Sequence, residues 1–242
     1  MPFYNNGTII FCTNERIVSK RFGRNPDARR RETPFRAWKL AYAGWNTKLI
    51  RPLETSFPEE TVLCNPMFYF EGDLLQVTFL ASTPNELGLD THLYEMHGPS
   101  WNSLSEPRIL SEEYTRTGFL SPRHICLGGD RELRLIDKTN GSRFKLTTSL
   151  PNISRVTFDP DNPARILITG MDHTEWYHTL VFNVDTNELL EFQGPAQMYK
   201  ACLVGNRVVF SYRESEDIED YQLCVAPLVL SETSETVALE PM

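Results

Sequence analysis

The densest group of side chains able to do chemistry is Met171-Asp172-His173-Thr174-Glu175-Trp176-Tyr177-His178. Asp172, His173 and His178 are of the types that hold a metal ion, and the same short spacing suits a solvated hairpin loop. Trp176 and Tyr177 stand beside these polar groups, a combination that stacks against sugars or peptides while the polar side chains take hydroxyls or amides. Aromatic packing between neighbouring sheets is the structural alternative. The reading adopted is a ligand loop made by Asp172, His173, Trp176 and Tyr177, with no metal site and no cofactor.

Outside this loop the chemistry thins. Arg123-His124 follows Ser121-Pro122 at the start of an apolar alternating run, so His124 either lines a binding channel or is a satisfied buried histidine. No G-x-S-x-G, phosphate-binding G-x-x-x-x-G-K-[ST], H-E-x-x-H or dinucleotide fingerprint occurs, which leaves the common hydrolase, nucleotide and zinc-protease chemistries without their residues.

The elements that must position these residues are short. Apolar residues recur with period two in Thr8 to Cys12, Leu74 to Leu80, Arg165 to Thr169, Thr179 to Val184 and Arg207 to Tyr212, the pattern of half-buried strands, and no window carries a helical stripe. Between them stand Glu71-Gly72-Asp73, Gly128-Gly129-Asp130, Thr139-Asn140-Gly141, Asp159-Pro160-Asp161-Asn162-Pro163, Asp185-Thr186-Asn187 and Gly205-Asn206. Each offers Gly, Asn or Asp where a tight turn needs positive φ or a side-chain-to-backbone bond, so consecutive strands should pair as antiparallel hairpins.

The hairpins group into units opening near Asn65, Ser121, Ile153 and Met198, with Gly7 to Leu53 as a further one; the unit at Asn65 spans about 46 residues, the size of a propeller blade. Five units over 242 residues average about 48 each. The expectation is an all-β fold, a five-bladed β-propeller of four-stranded antiparallel blades forming a single domain over 1–242, with a β-sandwich as the alternative. The unit at Ser121 is short and shows three clear strands. Ring closure would need Thr8 to Cys12 or Thr236 to Leu239 to pair across the first and last blades.

Asn65-Pro66-Met67-Phe68-Tyr69-Phe70-Glu71-Gly72-Asp73 resembles a blade of the five-bladed glycosidase clan of arabinanases, β-xylosidases, invertases and levansucrases. Gly98-Pro99-Ser100-Trp101 before Arg108-Ile109-Leu110, and Gly44-Trp45 before Leu49-Ile50, are similar to that clan's outer-strand pattern. The resemblance covers about 90 residues and implies a propeller. Glycoside hydrolysis takes two carboxyl groups facing across the scissile bond. The clan's blade-opening acids correspond here to Asn5 or Asn6, Asn65 and Ser121, none of which can be nucleophile or general base. The resemblance therefore implies a glycosidase-like scaffold without the catalytic set, with Asn65, Arg123 and His124 added to the ligand-binding candidates. An active glycoside hydrolase using carboxylates among Asp73, Asp130, Asp159 and Asp172 is the runner-up. Trp45 and Trp101, at matched places after glycine, suit packing between blades.

The net charge of −8 argues against duplex nucleic acid, which needs clustered basic residues to neutralise phosphate. One stretch is basic: Lys20 to Arg31 holds six Lys or Arg in twelve residues, and Glu15 to Arg36 carries +5 against −13 elsewhere. A basic loop at about 20–34 is expected to face solvent or an acidic partner, with Arg24, Arg29, Arg30 and Arg31 as partner-binding residues and a second copy of the chain as one such partner. Met1 to Asn6 has neither region of a signal peptide and no run reaches a membrane span, so cytoplasmic synthesis without membrane insertion is expected. Cys12, Cys64, Cys126, Cys202 and Cys224 form an odd set without a C-x-x-C pair and read as reduced thiols. Together these features point to a non-enzymatic interaction or carbohydrate-binding propeller, compatible with a component of a phage or virus particle.

Overall fold

The computed structural model describes residues 3–5, 8–14, 38–44, 50–58, 61–85, 88–174, 176–194, 198–212, 222–231, 235–237 and 239–242. Among them every regular element is a strand. Five antiparallel sheets, each a meander of consecutive strands, are the blades of the five-bladed β-propeller expected from the sequence. The sandwich alternative would gather the strands into two sheets and is not what forms.

Packing divides the chain into two compact units, 1–114 and 115–242. The first unit holds two sheets: β1 (Phe3–Asn5), β2 (Thr8–Asn14), β3 (Trp38–Gly44) and β4 (Ile50–Leu53), then β5 (Val62–Glu71), β6 (Leu74–Asn85), β7 (Gly88–Gly98) and β8 (Arg108–Ser111). Ile10, Leu40, Leu63, Met67, Phe68, Leu75, Val77, Phe79 and Leu93 fill its interior. Trp101, from the β7–β8 connection, stacks on Tyr42 of β3 with ring centroids 4.4 Å apart and meets Phe68 of β5 edge-on at 5.0 Å, which is the packing role expected for it. A Cβ at Gly98 would fall on the Ser103 carbonyl, so the Gly-Pro-Ser-Trp spelling is dictated by the close return of its own loop.

The second unit holds β9 (Thr117–Leu120), β10 (His124–Gly128), β11 (Glu132–Asp137) and β12 (Arg143–Thr147); β13 (Asn152–Asp159), β14 (Asn162–Met171), β15 (Tyr177–Asn183) and β16 (Glu188–Glu191); and β17 (Met198–Val204), β18 (Arg207–Tyr212) and β19 (Gln222–Pro227). All six turns expected from the sequence join consecutive strands, with Gly72, Gly141, Asn187 and Gly205 at positive φ.

Three first strands are interrupted at comparable places: β5 between Cys64 and Met67, β13 between Ile153 and Arg155, and β17 between Tyr199 and Cys202. A bulge bends a strand and leaves backbone groups free to pair sideways. In the second unit the Val156 N–H donates to Thr117 Oγ1 at 3.0 Å, and the Ile153 N–H donates to the Asp130 carbonyl at 2.9 Å, so consecutive sheets are joined by hydrogen bonds as well as by side-chain packing.

Two expectations need correction. The third sheet opens at Thr117, not at Ser121, which lies in the β9–β10 turn accepting the His124 N–H on its Oγ at 2.9 Å. The four-residue strand β9 is too short to show periodicity, and it makes His124 part of a second strand. Among the described residues, the strands expected to close the ring also have partners other than those expected. Thr8 to Cys12 pairs with β1 and β3, whereas β20 (Glu235–Thr236) adds to β16 and β21 (Glu240–Pro241) adds to β12. The C-terminal segment instead covers the outer edges of two blades in its own unit, satisfying backbone groups that would otherwise be open to another chain.

No disulfide joins any of the five cysteines, all of which lie among the described residues. Burial pushes the Cys126 and Cys202 thiols well up, which suits small apolar core residues rather than nucleophiles.

Candidate functional site

The site forms where β14 turns into β15. Asp172 ends the turn by accepting on one carboxylate oxygen, Oδ1, from the Thr174 N–H at 2.7 Å, the Thr174 hydroxyl at 2.7 Å and the Trp176 N–H at 3.0 Å. Its own N–H donates to the Trp176 carbonyl at 2.9 Å. A short acidic side chain that satisfies several backbone donors is what closes such a loop, and these donors hold its carboxyl well below the usual range, the Thr174 hydroxyl first among them.

His178, two residues into β15, is fixed by register. It lies opposite Gly170 on β14, and its face of β15 continues through Leu180, which is paired with Glu191 of β16. The ring therefore meets two carboxylates: Nε2 is 2.9 Å from Asp172 Oδ2 and Nδ1 is 2.7 Å from Glu191 Oε1. Glu191 and then Asp172 raise the imidazole's pKa above its ordinary value, with partial burial opposing them.

Beside this cluster opens a pocket of about 410 Å³ lined by Trp176, His178, Glu191, Gln193, Phe192 and Met198 among others. Phe192 and Met198 give it an apolar floor and belong to the buried cluster with Leu167, Val181, Ala201 and Leu203. Trp176 stands on the rim, 46% exposed. A volume of this size with an apolar floor and a few oriented polar groups is that of a small-ligand site.

Of the residues singled out from the sequence, Asp172, Trp176 and Tyr177 line the pocket, and His178 joins them; His173 is exposed and does not. Asn65 sits at the β5 bulge with φ of 48°, a conformation asparagine tolerates better than most residues, so its backbone accounts for its presence. Arg123 pairs with Asp185 at 2.8 Å. His124 is buried, its Nδ1 without a hydrogen-bond partner, and burial followed by Arg123 lowers its pKa. Arg24, Arg29, Arg30, Arg31 and Trp45 lie outside the described residues. Glu191, Gln193 and Met198 were missed.

Among the described residues no group of three His, Cys, Asp or Glu side chains is placed to hold a metal ion. The remaining carboxylates proposed for catalysis each have other surroundings. Asp73 is exposed at the β5–β6 turn, Asp130 pairs with Arg116 at 2.7 Å, and Asp159 is fully buried against Arg165 at 2.8 Å, where burial pushes its carboxyl up.

No family model and no curated protein matches the sequence, so the glycosidase resemblance gains no support from either comparison. Among solved structures, a chain in the crystal structure of a mitotic checkpoint complex is similar at a TM-score of 0.37 and 10% identity, over 82% of this chain and 73% of that one, too faint a likeness to assign a role.

Proposed function

We propose that this protein is a non-catalytic binding β-propeller that holds a carbohydrate in the pocket beside the Asp172–His178 hairpin. The observation that carries the reading is the half-exposed Trp176 ring on the rim of a pocket whose polar groups include Asp172, His178, Glu191 and Gln193. Sugar rings present an apolar face to indole and hydroxyls to carboxylate and amide groups, which is the chemistry this lining offers.

The arrangement of Asp172 and Glu191 favours binding over hydrolysis. A glycosidase sets two carboxyl groups on either side of an open gap that the scissile bond occupies. Here the two carboxylates face each other across the His178 ring, which fills that gap and neutralises part of their charge. While the His178 ring is charged, neither is left as a free acid or nucleophile.

The test is a glycan array probed with the full chain, followed by titration of any hit against Trp176→Ala. Retention of a glycan by the parent chain and at least tenfold weaker binding by the variant, with unchanged circular dichroism, is the expected result. Failure of every glycan to bind would overturn the reading, as would hydrolysis of a retained glycan that Asp172→Asn abolishes.

A further inference from the structure

The His178 ring has carboxylates at both nitrogens, at 2.7 and 2.9 Å. An ionised carboxylate only accepts, and a neutral imidazole has one N–H, so both contacts are hydrogen bonds only when the ring is an imidazolium. Among the described residues, Asp172 from the β14–β15 loop and Glu191 from β16 are the charged groups that face it. β14 presents Gly170 opposite His178, and β17 presents the apolar Met198 to the same pocket.

The two contacts are not equivalent. Asp172 is pinned through its other oxygen by Thr174 and Trp176, so the carboxylate cannot leave without undoing the loop. The Glu191 side chain is exposed and makes no other hydrogen bond among the described residues. When the ring loses a proton, the remaining N–H stays with the pinned partner, and a nitrogen lone pair then faces Glu191.

We propose that His178 is a proton-operated clip, which fastens the Trp176 loop to β16 beside the pocket when charged and releases Glu191 when neutral. The proposal rests on the pocket described above and adds its regulation: ligand is held more tightly on the acid side of the His178 titration. Release moves a carboxylate from an ion pair into the pocket, raising its negative charge, while the loop that carries the rim tryptophan keeps its hold on His178 through Asp172 and loses its tie to β16. Two strands are thus coupled by a single proton, without any change in the sheet's backbone bonds.

The test follows the His178 imidazole and the amides of Thr174 and Trp176 by NMR across pH 5 to 9, in the parent chain and in Glu191→Gln. The substitution keeps the size of the side chain and removes its charge. The expected outcome is a His178 midpoint above that of free histidine, loop amides that shift with the same midpoint, and a lower midpoint with a blunted loop response in Glu191→Gln. A midpoint at or below that of free histidine, one that Glu191→Gln leaves in place, or a loop indifferent to the titration would overturn the clip. Neither measurement uses a ligand, so the clip can stand if no glycan binds and can fail while a glycan still binds.

Discussion

The backbone N–H of Val156 donates to the hydroxyl of Thr117 at 3.0 Å, tying β13 to β9 through a side chain that is 0% exposed. Thr117→Val keeps the shape and removes the acceptor, leaving a buried donor without a partner. The loss should be about 1–3 kcal/mol, the cost of a buried polar group left unpaired. Denaturant unfolding of the two proteins at one pH measures it, and a difference below about 0.5 kcal/mol, the usual effect of a surface change, would show that water or another group replaces the hydroxyl.

Gly98 tests the loop that carries Trp101. An alanine methyl at this position would lie on the Ser103 carbonyl, a backbone atom that cannot step aside without moving the loop. Gly98→Ala should therefore destabilise by about 1–3 kcal/mol, as overpacking does. It should also loosen the stack of Trp101 on Tyr42, visible as altered near-ultraviolet circular dichroism. Gly72→Ala is the control: its Cβ meets nothing, so only the strain of φ at 62° remains and the aromatic signal should be unchanged.

Two histidines should pull stability in opposite directions with pH. The folded pKa of His178 is raised above 6.5 by its carboxylates, so its contribution is complete below 6.5 and is lost as pH rises through the folded value. The folded pKa of His124 is lowered below 6.5 by burial, so its contribution is present above 6.5 and is lost as pH falls toward the folded value. His178→Gln should flatten the alkaline side of the stability profile and His124→Gln the acid side. Identical slopes in parent and variants on both sides would refute the assignment.

What was readable from the sequence divides along physical lines. The six turns read from Gly, Asn or Asp were legible, because those residues are chosen for local backbone reasons, whereas the tight connections between Asn5 and Thr8 and between Asn85 and Gly88 were not read. β9 was not legible: four residues are too few for period two to show, and Ser121-Pro122 beside it reads as a start rather than a turn. The pocket was half legible. Asp172, Trp176 and Tyr177 announce themselves by local composition, whereas Glu191 joins them through register. The turn at Asp185-Thr186-Asn187 pairs Asn183 with Glu188, and counting back from that pair places Glu191 opposite Leu180, on the face that His178 shares. The signal was present but needed the pairing to be counted. The route of the C-terminal segment had no such signal, because Glu235–Thr236 and Glu240–Pro241 find their edges through tertiary geometry alone.

The carboxylates once considered for catalysis separate by their surroundings, and substitution should sort them. Asp159 is 0% exposed, pairs with Arg165 at 2.8 Å and accepts the Asp161 N–H at 3.0 Å. Asp159→Asn leaves Arg165 beside a neutral amide in a site arranged for a negative charge, and breaking a buried pair from one side costs roughly 3–5 kcal/mol. Arg165 is partly exposed and can recover some hydration, so a value at or below the lower end, about 2–3 kcal/mol, is expected. Asp130 sits on the surface with Arg116, both well exposed, and Asp130→Asn should cost less than about 1 kcal/mol. Asp73→Asn, in an exposed turn, should be close to neutral. Thermal and denaturant unfolding of the three variants gives the ranking, in which Asp159 stands apart as a structural residue. Were Asp159→Asn instead to fold as stably as the parent chain while abolishing cleavage of a polysaccharide, the buried carboxylate would be catalytic and the binding-protein reading would give way to the enzyme.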